Sequence, residues 1–303
     1  MSKLLAQLDS AELALLDQIL STAKAGVGER TLTRIGLIHQ NLKASPTDDQ
    51  SIYTKLDALR APPMCKEFPG APEIPLPQPV APLQQPLSDI LQQRTSSRDY
   101  GPSGFSLAEL SAFLWHSTGL KGTVPAYNIR QFPVRRSPTA GGLQSSDIYL
   151  VVNQVAGVDK GLYYYHPVRH TLVQLEAGNL RRHVVRSCIF TEWVGYAPVV
   201  FFLVANSTRV QWKYGDRAYR FMHVDAGVLC QNMYLTATAL DWNACALAAY
   251  YDDAVNSLLS LDGIREFCVL LFAAGTRPFA DSTRSSDSDQ GGGKECPPPG
   301  CSC

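Results

Sequence analysis

Two short segments of the chain carry the residue types that bind a phosphate group. In the first, Arg94, Ser96 and Arg98 alternate along the sequence, so an extended backbone would turn the three side chains to one side. Guanidinium and hydroxyl groups donate hydrogen bonds to phosphate oxygens, and a planar guanidinium can donate two at once. In the second segment, Arg277 follows Gly275 after an apolar run and could reach the same anion. Either segment taken alone also fits a solvated basic turn.

A third segment has the composition expected beside a flat aromatic ligand. Pro138, Thr139, Ala140 and Gly141 are small and contain one hydroxyl group. Small side chains allow backbone amides to approach a ring closely. An ordinary glycine-rich loop has the same composition, so this segment alone does not identify a site.

Lys213 and Tyr214 stand side by side just before a long apolar segment. The ordinary pKa values, about 10.4 for lysine and about 10 for tyrosine, are too high for a base at neutral pH. Burial and nearby positive charge could bring either pKa toward 7 and make the pair a proton-transfer site. The alternative is a surface lysine next to a packed tyrosine.

Other common kinds of site leave no signature in the sequence. There is no phosphate-binding Walker loop, no dinucleotide-binding glycine motif, no paired-histidine zinc motif and no serine hydrolase motif. The six histidines do not pair at the spacing of metal ligands, so we expect no metal site. Eight cysteines in 303 residues do not indicate a disulfide scaffold.

The charge balance excludes further classes of partner. The chain has 27 basic and 27 acidic residues and a formal net charge of zero, so it has no global field that would attract nucleic acid or an anionic membrane. No apolar run approaches the roughly 18–20 residues of a membrane span. Asp9 and Glu12 interrupt the region where a secretory signal would be apolar. We therefore expect a cytoplasmic protein that binds neither nucleic acid nor membrane.

The hydrophobic pattern predicts four regions along the chain. Residues 1–60 should form an N-terminal helical extension, because apolar residues recur there at helical spacing. Residues 61–87 are proline-rich and predict an extended surface segment, either a spacer or a ligand for a proline-recognition domain. Residues 88–279 should form the main domain. Residues 280–303 lack apolar content and predict a disordered tail.

The main domain should contain strands with irregular helical insertions, a pattern typical of an α+β fold. Its predicted elements are a helix after the N-cap Ser106, a hairpin around residues 161–175, a buried strand at 198–205, a long helix at 219–240 and a last buried strand at 267–274.

Three cysteines, Cys296, Cys301 and Cys303, crowd into the predicted tail. A disordered tail, a thiol metal or redox site, and a modifiable peptide-like segment are the alternatives. The spacing of these cysteines does not match familiar zinc motifs.

Eight segments have the order and composition of motifs in one family, and they extend over most of the chain. The order resembles that of the nitroreductase superfamily of FMN enzymes, and specifically of the SagB/ThcOx-type dehydrogenases. Those enzymes oxidise thiazolines and oxazolines to thiazoles and oxazoles in ribosomally made peptides. The segments are P-E-I-P-L-P at 72–77, R-T-S-S-R at 94–98, P-T-A-G-G-L-Q-S-S-D-I-Y at 138–149, G-L-Y-Y-Y-H-P at 161–167, K-Y-G-D-R-A-Y-R at 213–220, D-A-G at 225–227, D-D-A at 252–254 and the run at 270–275.

The resemblance implies a nitroreductase-like α+β fold with a mostly antiparallel central sheet flanked by helices. It implies that Arg94, Ser96 and Arg98 hold the phosphate and ribityl chain of FMN, and that Arg277 closes the site from the C-terminal side. It assigns Lys213 and Tyr214 as candidate bases, one of which takes the proton that does not leave as hydride. The remaining residues that it places near the cofactor are Pro138, Thr139, Ala140, Gly141, Ala248, Ala249 and Gly275.

The resemblance also implies partners. The family normally buries its cofactor at a symmetric dimer interface, so a homodimer is expected, with a peptide substrate and a cyclodehydratase complex as partners. Two other functions stay open. One is an NAD(P)H-dependent reductase of nitro compounds or quinones, and the other is a non-catalytic scaffold subunit of a peptide-modifying complex. A histidine of the family motif is replaced by Val228 here, which bears on the substrate more than on the cofactor.

Overall fold

The computed structural model describes residues 37–39, 42, 61–79 and 82–278. Apart from residues 37–39 and 42, the helical extension predicted over residues 1–60 lies outside the described residues, as does the cysteine-containing tail at 280–303. None of the helices in these ranges is long and apolar enough to span a membrane, and the same ranges contain no group of three potential metal ligands.

The described chain alternates strands and helices. The strands are β1 (Glu73–Pro75), β2 (Phe105–Ser106), β3 (Leu120–Ala126), β4 (Ile129–Arg135), β5 (Ser146–Val152), β6 (Val155–Ala156), β7 (Gly161–His166), β8 (Thr171–Ala177), β9 (Val199–Asn206), β10 (Trp242–Leu247) and β11 (Glu266–Thr276). The helices are α1 (Leu87–Gln93), α2 (Leu107–Thr118), α3 (Arg181–Ser187), α4 (Thr208–Tyr214), α5 (Ala218–Ala239) and α6 (Asp252–Leu258), with short 3₁₀ turns at Ala140–Gly142, Glu192–Tyr196 and Gly215–Arg217.

A seven-stranded sheet forms the centre of the molecule, in the order β1-β8-β7-β5-β9-β11-β10. All of its neighbouring strands are antiparallel. Helices cover both faces, because α2 and α5 contribute to one apolar cluster and α3 and α6 to the other. Strand β9 is therefore buried along its whole length, which explains its continuous apolar sequence. The predicted α+β fold is confirmed.

Helix α2 begins where the sequence predicts. The Ser106 hydroxyl accepts a hydrogen bond from the Glu109 amide at 3.2 Å, and the Glu109 carboxylate accepts one from the Ser106 amide at 2.7 Å. This reciprocal capping box satisfies amide groups that the first helical turn leaves without partners. It directs the apolar face of α2, including Phe113, onto the sheet, where Phe113 contacts Phe201 and Trp242.

The proline-rich segment is more than a spacer. Strand β1 pairs with β8 at the edge of the sheet. Proline is tolerated in an edge strand because backbone positions that face away from the sheet need no N–H group. The Pro63 carbonyl accepts a hydrogen bond from Arg209, and the Met64 carbonyl accepts one from Arg135. Because both guanidinium groups are buried, the segment supplies acceptors that water cannot provide there.

A buried ion pair joins α4 to the sheet. Arg209 donates to both carboxylate oxygens of Asp147, each at 2.9 Å, and donates to the Gln144 carbonyl at 3.0 Å. Tyr164 donates a further hydrogen bond to Asp147 at 2.9 Å. Both charged side chains are at most 2% exposed. A charge left without its partner at this depth would be strongly destabilising.

Substitution of Arg209 tests this linkage. We expect Arg209→Met to lower the free energy of unfolding by about 3–5 kcal/mol, because Asp147 keeps its buried charge and loses two charge-assisted hydrogen bonds. Chemical denaturation measures the change. The control is Glu67→Gln, which removes one exposed partner of Arg169 and should cost less than about 1 kcal/mol. Equal losses in the two variants would contradict the assignment.

Candidate active site

The small-residue loop between β4 and β5 is anchored to helix α5. The Ala140 amide donates to one carboxylate oxygen of Asp225 at 2.9 Å, and the Ser145 hydroxyl donates to the other at 2.6 Å. The Gln144 amide donates to the Thr139 hydroxyl at 3.1 Å. The loop is therefore held at both ends, and the predicted residues Thr139, Ala140 and Gly141 lie in one short, fixed turn.

Asp225 is a site residue that the sequence analysis did not assign. Burial raises the pKa of its carboxyl, while the hydrogen bonds from Ser145 and Ala140 oppose the rise. Its sequence signal is an acidic residue in the D-A-G motif of an otherwise apolar helical stretch. An acidic residue in such a stretch indicates a functional or anchoring group, but the sequence does not show which loop it contacts.

Lys213 lies beside the same loop. Its ammonium group donates to the hydroxyl of Tyr127 at 2.8 Å, and that hydroxyl donates to the Gly141 carbonyl at 2.7 Å. The ammonium also lies 4.8 Å from the ring centre of Tyr127 and 5.1 Å from that of Tyr214. The structure thus brings the predicted pair Lys213 and Tyr214 to the predicted loop. It adds Tyr127, which the sequence analysis missed.

The close approach of these groups requires glycine at position 141. A Cβ atom there would lie 2.6 Å from the Tyr214 hydroxyl oxygen, 2.9 Å from that of Tyr127 and 3.1 Å from the Lys213 nitrogen. The backbone is also left-handed, with φ of 59°. Neighbouring Gly142 is left-handed too, but a Cβ there would make only an ordinary 3.7 Å contact with Phe132. Three polar groups therefore crowd the position of a Cβ atom at Gly141 but not at Gly142.

The pKa of Lys213 is not lowered toward 7, as it would have to be for the amine to act as a base at neutral pH. Burial does lower it, but the hydrogen bond to Tyr127 and the neighbouring Tyr214 outweigh burial, and the net pKa lies above the ordinary lysine value. Partial burial is too weak here to discharge the ammonium. In this arrangement Lys213 is a fixed positive charge rather than a free base at neutral pH.

Tyr234 of helix α5 organises part of the predicted phosphate-binding segment. Its hydroxyl lies 3.0 Å from the Ser96 hydroxyl, and its ring lies 5.4 Å from the guanidinium carbon of Arg94. The amide of Ala246 donates to the same hydroxyl at 2.7 Å. Arg94 and Ser96 therefore lie together, over the end of the sheet where β10 runs.

The other two predicted arginines have different neighbours. The Arg98 guanidinium carbon lies 5.5 Å from the ring centre of Trp193. Arg277 forms an exposed ion pair with Asp241 at 3.0 Å. Within the described residues, Arg94 and Arg98 form no ion pair, and each guanidinium group lies near an aromatic ring. The structure does not bring the three arginines into contact with one another.

Helix α5 contacts two groups of predicted residues. Asp225 holds the small-residue loop, and Tyr234 lies beside Arg94 and Ser96. Asp225 and Tyr234 are nine residues apart on α5, a separation of about 13.5 Å along the helix axis at a rise of 1.5 Å per residue. The two groups of predicted residues therefore lie along one rigid element.

The remaining predicted residues occupy varied positions. Pro138 is exposed at the start of the loop, and Ala248 is exposed just after β10. The Ala249 carbonyl accepts a hydrogen bond from Ile189 at 2.9 Å. Gly275 is buried in β11, where a Cβ atom would lie 2.6 Å from the Tyr100 ring. Close packing therefore accounts for glycine at position 275.

Comparison with known proteins places this arrangement in a family. The nitroreductase family model matches residues 91–276. A protein named as a nitroreductase, MJ1384 of Methanocaldococcus jannaschii, is 32% identical over 191 residues, which cover 63% of this chain and 91% of that protein. The trifolitoxin-processing protein TfxB of Rhizobium leguminosarum bv. trifolii is 24% identical over 179 residues, which cover 56% of this chain and 47% of that protein.

A solved structure agrees with this assignment. A protein described as a nitroreductase from Anabaena variabilis is 26% identical, with a TM-score of 0.57 over 69% of this chain and 42% of that one. The chain thus matches less than half the length of TfxB and of the Anabaena protein. Because the family model covers more than half of the chain and the sheet and helices follow the same fold, this protein is a member of the nitroreductase family of flavin oxidoreductases.

Proposed function

We propose that the protein binds FMN and dehydrogenates azoline rings to azoles in a ribosomally made peptide. The observation that carries the proposal is the convergence of Lys213, Tyr214 and Tyr127 above the Gly141 backbone. This convergence places a cation and two phenols beside a loop that a flat ring can approach. The similarity to a trifolitoxin-processing protein supports a peptide substrate.

The donor groups near Tyr234 fit the phosphate of FMN. Arg94 and Ser96 lie beside Tyr234 and Arg98 lies beside Trp193, and neither arginine forms an ion pair among the described residues. A dianionic phosphate is the ligand that such a set of donors prefers. Arg277 joins this set if its exposed pair with Asp241 opens, which costs little because exposed pairs are weak.

Bound FMN would supply the hydride-accepting chemistry of the reaction. Aromatising an azoline removes one hydride and one proton, so a protein group must take the proton. Because Lys213 is charged, the Tyr214 hydroxyl is the remaining candidate for that role. The Lys213 ammonium, 5.1 Å from the Tyr214 ring centre, would stabilise negative charge that develops as the proton is transferred.

We further propose a homodimer that uses helix α5. Tyr219 and Val224 expose apolar side chains near the start of α5, with 47% and 55% of their surfaces accessible. Both positions lie within a few residues of Asp225, which anchors the candidate site. A second copy that packs around the start of α5 would exclude water from the small-residue loop.

A second candidate function is an NAD(P)H-dependent reductase of nitro compounds or quinones. The named nitroreductase from Methanocaldococcus jannaschii favours it at 32% identity. Two assays on the purified protein separate the functions. Loss of the mass of two hydrogens per ring from an azoline-containing peptide supports the dehydrogenase, whereas rapid bleaching of the flavin absorbance by NADPH without peptide oxidation supports the reductase. A colourless protein that takes up no FMN would support a scaffold role.

Substitution of Arg98 tests the assigned cofactor site. Loss of one charge-assisted contact, worth about 1.5–3 kcal/mol, should weaken FMN binding by roughly 10–150-fold in Arg98→Gln. Riboflavin has no phosphate, so its affinity should not change. Fluorescence titration measures both affinities. The control Arg182→Gln removes an exposed arginine of α3 and should leave both values unchanged. An equal loss for FMN and riboflavin would contradict a phosphate contact.

Substitution of Lys213 tests the assigned chemistry. Lys213→Ala should retain FMN and lower azoline oxidation by about 10²–10³-fold, the range for loss of one group that stabilises developing charge. Absorbance of the bound flavin and mass spectrometry of the peptide give the two readouts. Lys160→Ala, at an exposed position after β6, is the control. Unchanged peptide oxidation in Lys213→Ala would remove this residue from the mechanism.

A further inference from the structure

The turn of the β3–β4 hairpin holds a tyrosine in a conformation that tyrosines avoid. Tyr127 and Asn128 form a two-residue turn, with φ angles of 51° and 57°. A turn with two left-handed residues favours asparagine and glycine, and positive φ in a bulky residue costs free energy. Such an outlier persists only where other contacts hold it, so the contacts of Tyr127 point to a function.

The side chain of Tyr127 is held from three directions. Its ring packs edge-on against Phe132 of the same hairpin and Trp212 of α4, with ring centres 5.2 Å and 5.6 Å away. Its hydroxyl donates to the Gly141 carbonyl and accepts from the Lys213 ammonium. The hairpin is not part of the central sheet, and these contacts fasten its turn over the candidate site.

We propose that Tyr127 is a positioning residue, whose hydroxyl fixes the Lys213 ammonium beside the Gly141 backbone. The hydroxyl accepts from the lysine and donates to the loop at the same time, so it determines the distance between α4 and the loop. The proposal deepens the proposed function and rests on it only for the reaction that Lys213 serves. The fixed position of the lysine itself can be measured without turnover.

The groups around Lys213 determine what removal of the hydroxyl should do. Tyr127 faces it from the hairpin and Tyr214 adjoins it on α4, and both raise its pKa against the effect of burial. The nearby carboxylate on α5, Asp225, is engaged by Ala140 and Ser145. Without the Tyr127 hydroxyl, burial acts with less opposition, so the Lys213 pKa should fall and the neutral amine should become more abundant near pH 7.

Competitive acetylation measures this change. The purified protein is treated with a small amount of acetic anhydride over a pH series, and mass spectrometry compares acetylation of Lys213 with that of exposed Lys160. In Tyr127→Phe, which keeps the ring contacts, the ratio near neutral pH should rise by roughly tenfold, as expected for loss of a hydrogen bond to a charged group. An unchanged ratio in a folded Tyr127→Phe protein overturns the proposal.

The chain offers a matched control for the lost hydroxyl. The Tyr163 hydroxyl also donates to a carbonyl, that of Asp159 at 2.9 Å, and accepts from the Gln174 amide at 3.1 Å. Neither of these partners is Lys213, so Tyr163→Phe removes an equivalent pair of hydrogen bonds elsewhere. This variant should leave the acetylation ratio at the wild-type value. A rise as large as in Tyr127→Phe would reveal a general loss of stability and overturn the proposal.

A second pair of variants acts from the loop side. Gly141→Ala forces a methyl group toward the Tyr127 hydroxyl and the Lys213 nitrogen, whereas Gly142→Ala carries similar backbone strain without that clash. Lys213 acetylation should rise in Gly141→Ala and not in Gly142→Ala. If Tyr127→Phe fails to fold by circular dichroism, this pair decides, and equal ratios in the two alanine variants overturn the proposal.

The reaction provides a separate readout. The pH profile of kcat/KM for azoline oxidation should shift in Tyr127→Phe and stay in place in Tyr163→Phe. A wild-type protein that oxidises no azoline peptide would defeat the proposed function, while acetylation would still decide the role of Tyr127. A shifted acetylation ratio with an unshifted profile would show that the lysine is positioned by Tyr127 but not used in the reaction, and would overturn the catalytic part of the inference.

Discussion

The buried ion pair between Arg209 and Asp147 is the contact on which the candidate site depends. Asp147 lies in a central strand, and Arg209 lies near the start of the seven-residue helix α4 that ends with Lys213 and Tyr214. Arg209 also donates to the Gln144 carbonyl, just beyond the small-residue loop. One guanidinium group thus fixes both the helix that carries the cation and the loop that the cation faces. Its bidentate geometry leaves little freedom of rotation between them.

Helix α5 provides the second constraint, because it carries one anchoring residue for each half of the proposed cofactor site. Asp225 holds the loop, and Tyr234 holds the segment with Arg94 and Ser96. Both side chains point from a helix packed against the central sheet, so neither cluster can move without repacking the core. The distance between the proposed ring-binding group and the proposed phosphate-binding group is accordingly determined by the fold rather than by its loops.

Much of the architecture could be predicted from the sequence, because it depends on local patterns. The continuous apolar run of β9 and the Ser106 cap with Glu109 identify a buried strand and a helix start without any tertiary knowledge. The position of Lys213 beside the small-residue loop was predictable only because the order of motifs in this chain resembles that of the family. Tyr127 was not, because its role depends on a turn conformation and on a contact 86 residues away. The direction of the Lys213 pKa likewise depends on distances that a sequence does not contain.

Strand β1 and the carbonyl groups before it lie outside residues 91–276, the part of the chain that resembles the wider family. The common region nevertheless contains two interior guanidinium groups, Arg135 and Arg209, whose acceptors include Met64 and Pro63. The packing of the region matched by the family model therefore depends in part on residues that precede it. Without the N-terminal segment, Arg209 would keep its pair with Asp147 and Arg135 its bond to the Ser146 carbonyl, but each guanidinium group would hold buried N–H donors with no acceptor.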